Sequence, residues 1–338
     1  MPVSPPVGES SEPLPGLESV PGVAARVSVI MPCHNAAETM EESVQSALMQ
    51  QADCAGLEII LVDDHSSDGT AQLMRSLEAR HPDVIRCVTH EGVRGPGAAR
   101  NSGVAVATMP WLAFLDGDDV MLPGSIRERF RGVEAFPDAL FVGADFYEWE
   151  GGTYHESDLI PFYETRPQGA VVLAEALRTR EPVQLRHPLP DFAKAVLAWT
   201  GSVLIRRDAF EMVGGFDESL WRFEDDHLWL RLSAIYGYVW VPSAVTLYRQ
   251  RVGSLTRRDS PPGYWGIQAY KRLFRCIGFR GQRLAYIRAL ARFYDEDQHF
   301  YRTHRMYLPS VKAALGALLW WPFSFTRYRS LVASLLGL

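Results

Sequence analysis

The 338-residue chain is 47% hydrophobic and 22% charged, ordinary usage for a globular protein, which excludes a fibre or a disordered chain and allows about two domains. A net charge of −6 argues against a nucleic-acid partner. It hides an asymmetry: residues 1–250 carry 19 Lys/Arg against 36 Asp/Glu, whereas residues 251–338 carry 15 against 4.

An acidic body of −17 with a basic tail of +11 suggests a catalytic part that tolerates metal ions and a tail drawn to something anionic. Cys33, Cys54, Cys87 and Cys276 are widely spaced with no CxxC pair, which reads as a reducing, cytoplasmic setting without structural zinc. Residues 1–25, rich in Pro among Ser, Gly and Glu, read as a disordered leader rather than a secretory signal. No apolar run reaches the ~18–20 residues that span a bilayer; the longest late stretch, residues 313–326, has 14 and contains Pro322.

From residue 27 short β-branched runs alternate with amphipathic segments, the pattern of a mostly parallel sheet covered by helices. Residues 27–31 form the first strand, stopped by Pro32; Thr39 and Glu42 then make a capping box opening a helix with Met40, Val44 and Leu48 on one face. Residues 58–62 are the second strand, 70–80 a helix, and 84–89 the third strand. A Gly-rich loop over 90–97 leads into a helix over 98–107 whose small residues suit close packing, and 111–115 is a fourth, buried strand running into Asp116-Gly117-Asp118-Asp119. Residues 148–197 have no clear period and read as long loops around a site. Order returns with a strand over 202–205, a short helix over 208–213, a Gly214-Gly215 turn, a strong helix over 224–236 and a last strand over 244–248. Beyond it the Arg- and aromatic-rich tail is mostly helical by pattern.

In an open α/β sheet ligands bind outside the carboxyl ends of the strands, which gives weight to the polar residues there. Asp116, Asp118 and Asp119 put three carboxylates within four residues, an arrangement made tolerable by a hard cation such as magnesium or manganese sharing substrate phosphate oxygens; a solvated Asp-Gly turn is the equal alternative. Asp64, after the second strand, is placed to accept hydrogen bonds from a nucleotide, while Ser66, Ser67 and Asp68 suit a helix-capping turn. Arg100, one turn into its helix, can reach a phosphate or face solvent. Asp225 stands three and seven residues before Leu228 and Leu232, on their inward side, where a carboxylate can take a proton from an attacking hydroxyl. Arg249 and Arg251, after the last strand, are candidate phosphate ligands or equally part of a solvated basic loop, and Trp199 and Glu224 mark a candidate acceptor region.

Taken together the segments resemble the family 2 glycosyltransferases, inverting enzymes of the GT-A fold. The matching residues are Val27 to Pro32 with Asn35, Val62-Asp63-Asp64-His65-Ser66 with Asp68-Gly69-Thr70, Gly97-Ala98-Ala99-Arg100-Asn101 with Gly103, Phe114-Leu115-Asp116-Gly117-Asp118-Asp119, Gly214-Gly215-Phe216-Asp217, and Glu224-Asp225 with Leu228 to Leu232. The resemblance covers residues 26–251 as a catalytic domain, with 252–338 as a basic helical C-terminal region. It implies a nucleotide-sugar donor, with a UDP-sugar expected, a glycan or lipid-linked acceptor, and a divalent metal, magnesium or manganese. By family role Pro32, His34, Asn35 and Asp64 would frame the base and Arg100 would place the nucleotide. Asp116 and Asp118 would be the DxD pair, and Asp225 the catalytic base. His34 replaces the commoner Tyr, His227 stands where many members have Asp, and Arg251 stands where the family often has a His. The absence of QxxRW argues for single-sugar transfer.

Two other readings share these residues: a nucleotidyltransferase using the same acidic pair, and a noncatalytic nucleotide-sugar-binding subunit. In the tail, Trp320, Trp321, Phe323 and Phe325 beside Arg327 and Arg329 suit either the interface of an anionic membrane, at the inner face of the cell membrane, or a helix packed on the catalytic domain.

Overall fold

The computed structural model describes residues 25–150, 159–165, 173–192, 197–250, 261, 263–276 and 283–336. The expected leader up to residue 24 and Arg251 lie outside the described residues. Among these residues nine strands form one sheet: β1 (Arg26–Cys33), β2 (Gly56–Asp63), β3 (Ile85–Thr89), β4 (Trp111–Phe114), β5 (Val120–Met121), β6 (Phe141–Trp149), β7 (Val183–Leu185), β8 (Leu204–Arg206) and β9 (Tyr238–Arg249), ordered β3-β2-β1-β4-β8-β6-β9-β5 with β7 also on β9. The β3-β2-β1-β4 half is parallel. β8 runs against both β4 and β6, and β5 and β7 run against β9, whereas β6 and β9 are parallel to each other. Six strands therefore share one direction, and the expected GT-A α/β sheet is the one observed.

Strands β1 and β2 are buried on both faces, as their Val/Ile/Leu runs require. Alternation sends Val29, Met31, Ile59 and Leu61 into one apolar layer and Ile30, Ile60 and Val62 into the other. The first layer is closed by α1 (Met40–Leu48), α2 (Thr70–Arg80) and α4 (Ser125–Ala135); the second holds α3 (Pro96–Val106), α5 (Arg207–Met212) and α6 (Glu224–Ile235). Gly103 allows α3 to lie on β1, since a Cβ there would sit 2.5 Å from Ile30 Cγ2.

Three expectations need correction. Pro32 does not stop β1, which continues to Cys33 in register with β2. Pairing of β1 with β4 has already ended at Ile30, and the Pro32 carbonyl, on that open side, accepts from Gly117 N at 3.2 Å; a missing N–H there costs nothing. The capping box is not made. Thr39 makes no cap bond and its hydroxyl donates to the Gly117 carbonyl at 2.8 Å, while Glu42 pairs with Arg249. Both residues instead brace the acidic loop. The segment 148–197 is also more ordered than a loop, since its described residues hold β7 and the short helices Phe162–Thr165, Ala174–Thr179 and Leu189–Phe192.

Four C-terminal helices follow: α7 (Gly263–Cys276), α8 (Arg283–Thr303), α9 (Tyr307–Trp320) and α10 (Phe325–Leu336). Tyr270, Leu273, Tyr286, Leu290 and Phe293 of α7 and α8 join the same apolar layer as Phe216 and Trp229. The first two tail helices are thus part of the body's core. The layer also gathers partly buried Trp320, and α10 is tied in through Gln298, whose amide donates to Ser334 Oγ at 2.7 Å.

Candidate active site

The parallel strands end on one rim, and the polar residues after β1, β2, β3 and β4 meet there. Asp64 is almost wholly buried. Its Oδ1 accepts from His90 Nδ1 and Arg94 N, and its Oδ2 from Gly95 N, each at 2.8 Å. The carboxylate therefore holds the Gly-rich loop, whose Gly95 takes φ +91°, a conformation a side chain would strain. Trp221 packs over Gly95. His90 passes the connection on to Ser102 of α3 through Nε2 at 2.9 Å.

His34 Nδ1 bonds the Asp64 carbonyl at 2.8 Å, and Asn35 Oδ1 accepts from Ser67 N at 2.8 Å, so β1's end is fixed to the turn after β2. Pro32 contacts the acidic loop through Gly117, as above. Asp68 accepts from Thr70 N at 2.9 Å, which makes this the expected local turn.

After β4, Asp116, Asp118 and Asp119 each offer a carboxylate oxygen, all within 4.8 Å of one another. Asp119 is buried and accepts from Arg249 N at 2.9 Å. Burial and the neighbouring Asp118 and Asp116 push its pKa well above the ordinary carboxylate range, a sign of like-charge repulsion that a cation would offset. The set consists of hard oxygen donors, which suits magnesium or manganese. Arg249 Nε donates to the Asp118 carbonyl at 2.7 Å, its guanidinium also pairs with Glu42, and it lies 4.2 Å from the Trp149 ring centroid. In this arrangement Arg249 supports the acidic loop from the end of β9.

Arg100 joins the two acidic motifs. It is buried on α3, donating through Nη2 to Asp116 Oδ1 at 2.8 Å and through Nη1 to Glu224 Oε1 at 2.6 Å. Burial opposes its charge, but Asp116 and Glu224 hold its pKa above the ordinary value. Burial and Asp225 push Glu224 up to about 7 against the opposing pull of Arg100. Asp225, the next residue, is partly exposed; its Oδ2 accepts from Thr200 Oγ1 at 2.9 Å. Trp199, adjoining Thr200, stacks on Phe146 at 5.1 Å and meets Tyr248 at 4.4 Å.

The sequence reading missed Thr200, His90 and Glu42. His90 follows β3 directly and carried the same positional signal as Asp64. Thr200 did not: it precedes β8, and because β8 runs antiparallel to β4 its leading segment lies at the carboxyl rim. His227 is buried, and neither of its ring nitrogens has a hydrogen-bond partner among the described residues.

Comparison with known proteins finds a match to the model of glycosyl transferase family 2 over residues 28–214. The succinoglycan biosynthesis protein ExoO of Rhizobium meliloti (strain 1021) is 33% identical over 122 residues, covering 36% of this chain and 32% of that protein. The chain spans from about a third to two thirds of the length of the first curated relatives. Among solved structures, S. aureus TarS 1–349 in complex with UDP-GlcNAc aligns at a TM-score of 0.60 and 15% identity, covering 92% of this chain and 88% of that one. The mannosyltransferase PcManGT from Pyrobaculum calidifontis, in complex with GDP-Man and Mn2+, aligns at 0.60 and 18%, covering 96% and 84%.

Proposed function

The chain belongs to glycosyl transferase family 2, and on that premise we propose that it is a metal-dependent inverting glycosyltransferase moving single sugars from a nucleoside diphosphate sugar to a hydroxyl acceptor in polysaccharide or surface-glycan biosynthesis. The observation that carries this reading is the buried Arg100 bridge, which fixes the acidic loop beside Glu224-Asp225. A UDP-sugar is the expected donor, supported by the UDP-GlcNAc complex of TarS, and the GDP-Man and Mn2+ complex of PcManGT supports a cation in the acidic loop.

Asp118 and Asp116 would hold that cation, which when bound neutralises charge on the departing diphosphate. Asp64 keeps the Gly-rich loop open for the nucleotide through its bonds to Arg94 N and Gly95 N, with Pro32, His34 and Asn35 beside it. Arg100 fixes Asp116 so that the carboxylate does not swing when the donor enters. Asp225, oriented by Thr200, takes the proton of the acceptor hydroxyl as that oxygen attacks the anomeric carbon from the side opposite the diphosphate, which inverts the centre. Trp199 and Glu224 border the acceptor side. Arg249 supports the acidic loop, and Arg251 is proposed as a phosphate ligand. The acceptor is a glycan or lipid-linked glycan, met at the inner face of a membrane through the C-terminal region.

The test is donor turnover with a panel of nucleotide sugars and manganese. Sugar release lost in Asp118→Ala and in Asp225→Asn supports the reading. Pyrophosphate release from a nucleoside triphosphate would assign a nucleotidyltransferase instead, and function unaffected by Asp225→Asn would assign a noncatalytic binding subunit.

A further inference from the structure

A cavity of about 630 Å³ opens between α8 and the connection of α9 to α10, away from the acidic loop. Its wall includes Arg288, His299, Arg302 and Arg327 with Trp321 and Phe323. Its one carboxylate among the described residues, Asp295, is taken by Arg327, whose Nη2 lies at 2.6 Å and Nε at 2.8 Å. Arg288 lies 4.6 Å from the Trp321 ring centroid, and neither Arg288 nor Arg302 has an ion-pair partner among the described residues. Two guanidinium groups without counter-charge, walled by aromatic rings, make a site for a phosphate-sized anion.

The surface around the cavity is apolar where it meets water. Phe323 is 85% exposed, and Phe325 and Leu319 are 80% exposed. On α9 the exposed Leu308, Leu315 and Leu319 share a stripe with Lys312, and α10 exposes Phe325, Tyr328, Val332 and Leu335 beside Arg329. A run of large apolar side chains of this size marks an interaction surface. Its charge names the partner: no Asp or Glu follows Asp297, and residues 251–338 carry a net +11. Apolar stripes edged by cations, with aromatic rings at the turn, are the chemistry of a helix pair lying in the interface of an anionic bilayer.

We propose that α9, the turn at 321–324 and α10 lie on an anionic phospholipid surface, with Phe323 and Phe325 among the headgroups, and that Arg288 and Arg302 receive a headgroup phosphate in the cavity. This deepens the membrane contact in the reading above, but uses no residue of the acidic loop, so the two fail separately.

The experiment is flotation of the full chain with vesicles of phosphatidylcholine alone or mixed with phosphatidylglycerol, alongside donor turnover. The expected result is flotation with the mixed vesicles and at least about tenfold less with the neutral ones. Phe323→Ser/Phe325→Ser and Arg288→Gln/Arg302→Gln each lower flotation by about tenfold while donor turnover is kept. The two phenylalanines are exposed, so their substitution leaves the core alone. Absence of flotation, or equal flotation with both vesicles, overturns the proposal. Flotation kept in the double arginine variant overturns the headgroup site. A dimer in light scattering that is lost in Phe323→Ser/Phe325→Ser assigns the surface to a second copy and overturns it too. Normal flotation without donor turnover would sink the transferase reading and leave this one standing.

Discussion

Arg100 reaches Asp116 with one nitrogen and Glu224 with another, at 2.8 and 2.6 Å, so a single buried guanidinium ties the loop after β4 to the first turn of α6. Removing it leaves Glu224 buried without its cation, a change that costs about 3–5 kcal/mol in comparable pairs. Arg100→Met should lower stability by that order in urea denaturation and weaken donor binding. Because Glu224 already stands at about 7, the acid answers by protonating, and the loss is larger near pH 8 than near pH 6. Arg100→Lys keeps one charge but has no fork to span both acids, and recovers only part of the loss.

Asp225 is oriented by Thr200 Oγ1 at 2.9 Å. Asp225→Asn should lower kcat by about 10²- to 10⁴-fold with donor affinity unchanged. Thr200→Val, which removes only the orienting hydroxyl, should lower kcat by about tenfold. Steady-state transfer rates together with donor titrations separate the two quantities.

Glu58 secures the opposite end of the sheet. Its carboxylate accepts from Ser28 Oγ at 2.5 Å, Thr108 Oγ1 at 3.0 Å and Met109 N at 3.2 Å. Glu58→Ala leaves these donors without their acceptor, and at about 1–3 kcal/mol for a buried unpaired group the variant should lose a few kcal/mol in urea denaturation. The hydrogen bonds outweigh burial and hold the Glu58 pKa below its ordinary value, so the same stability declines in the wild type as acid protonates the group.

His227 gives a pH dependence of its own. Burial, and then Arg231, push its pKa down to about 4 from 6.5. A histidine with a depressed folded value stabilises the fold above the unfolded value and loses that contribution as pH falls toward about 4. At about 1.4 kcal/mol per pKa unit the loss is at most about 3.5 kcal/mol. Thermal melts between about pH 7 and 4 should show His227→Leu losing less stability than the wild type over that window.

The strands that carry the donor side were readable because β1, β2 and β4 are buried on both faces and are mostly apolar. The second half hid its strands for local reasons. β6 has one β-branched residue, Val142, followed by Gly143, Ala144 and Asp145, so it lacks the β-branched run that marks a strand. β9 passes through Pro242, where pairing with β6 jumps from Val241 to Ala244, and only the part beyond the irregularity resembled a strand. α4 went unassigned although Ile126, Phe130 and Val133 line its buried side, because Arg127, Glu128, Arg129 and Arg131 dominate the composition; Arg129 is in fact buried and donates to the Val203 carbonyl at 2.7 Å. Among site residues, those following β1, β2 and β4 were read, and His90 after β3 carried the same positional signal. Thr200 did not, because an antiparallel strand delivers its preceding segment to the same rim. Thr39 and Glu42 were assigned to a local motif, but their partners, Gly117 and Arg249, are distant in sequence.

The measurement closest to the central claim is isothermal titration of UDP and GDP into the full chain, with and without manganese, repeated on Asp118→Ala. Binding of one of these nucleotides should depend on manganese and weaken at least about tenfold in Asp118→Ala. Binding indifferent to both manganese and Asp118, or no binding of either nucleotide, would overturn the assignment of the acidic loop.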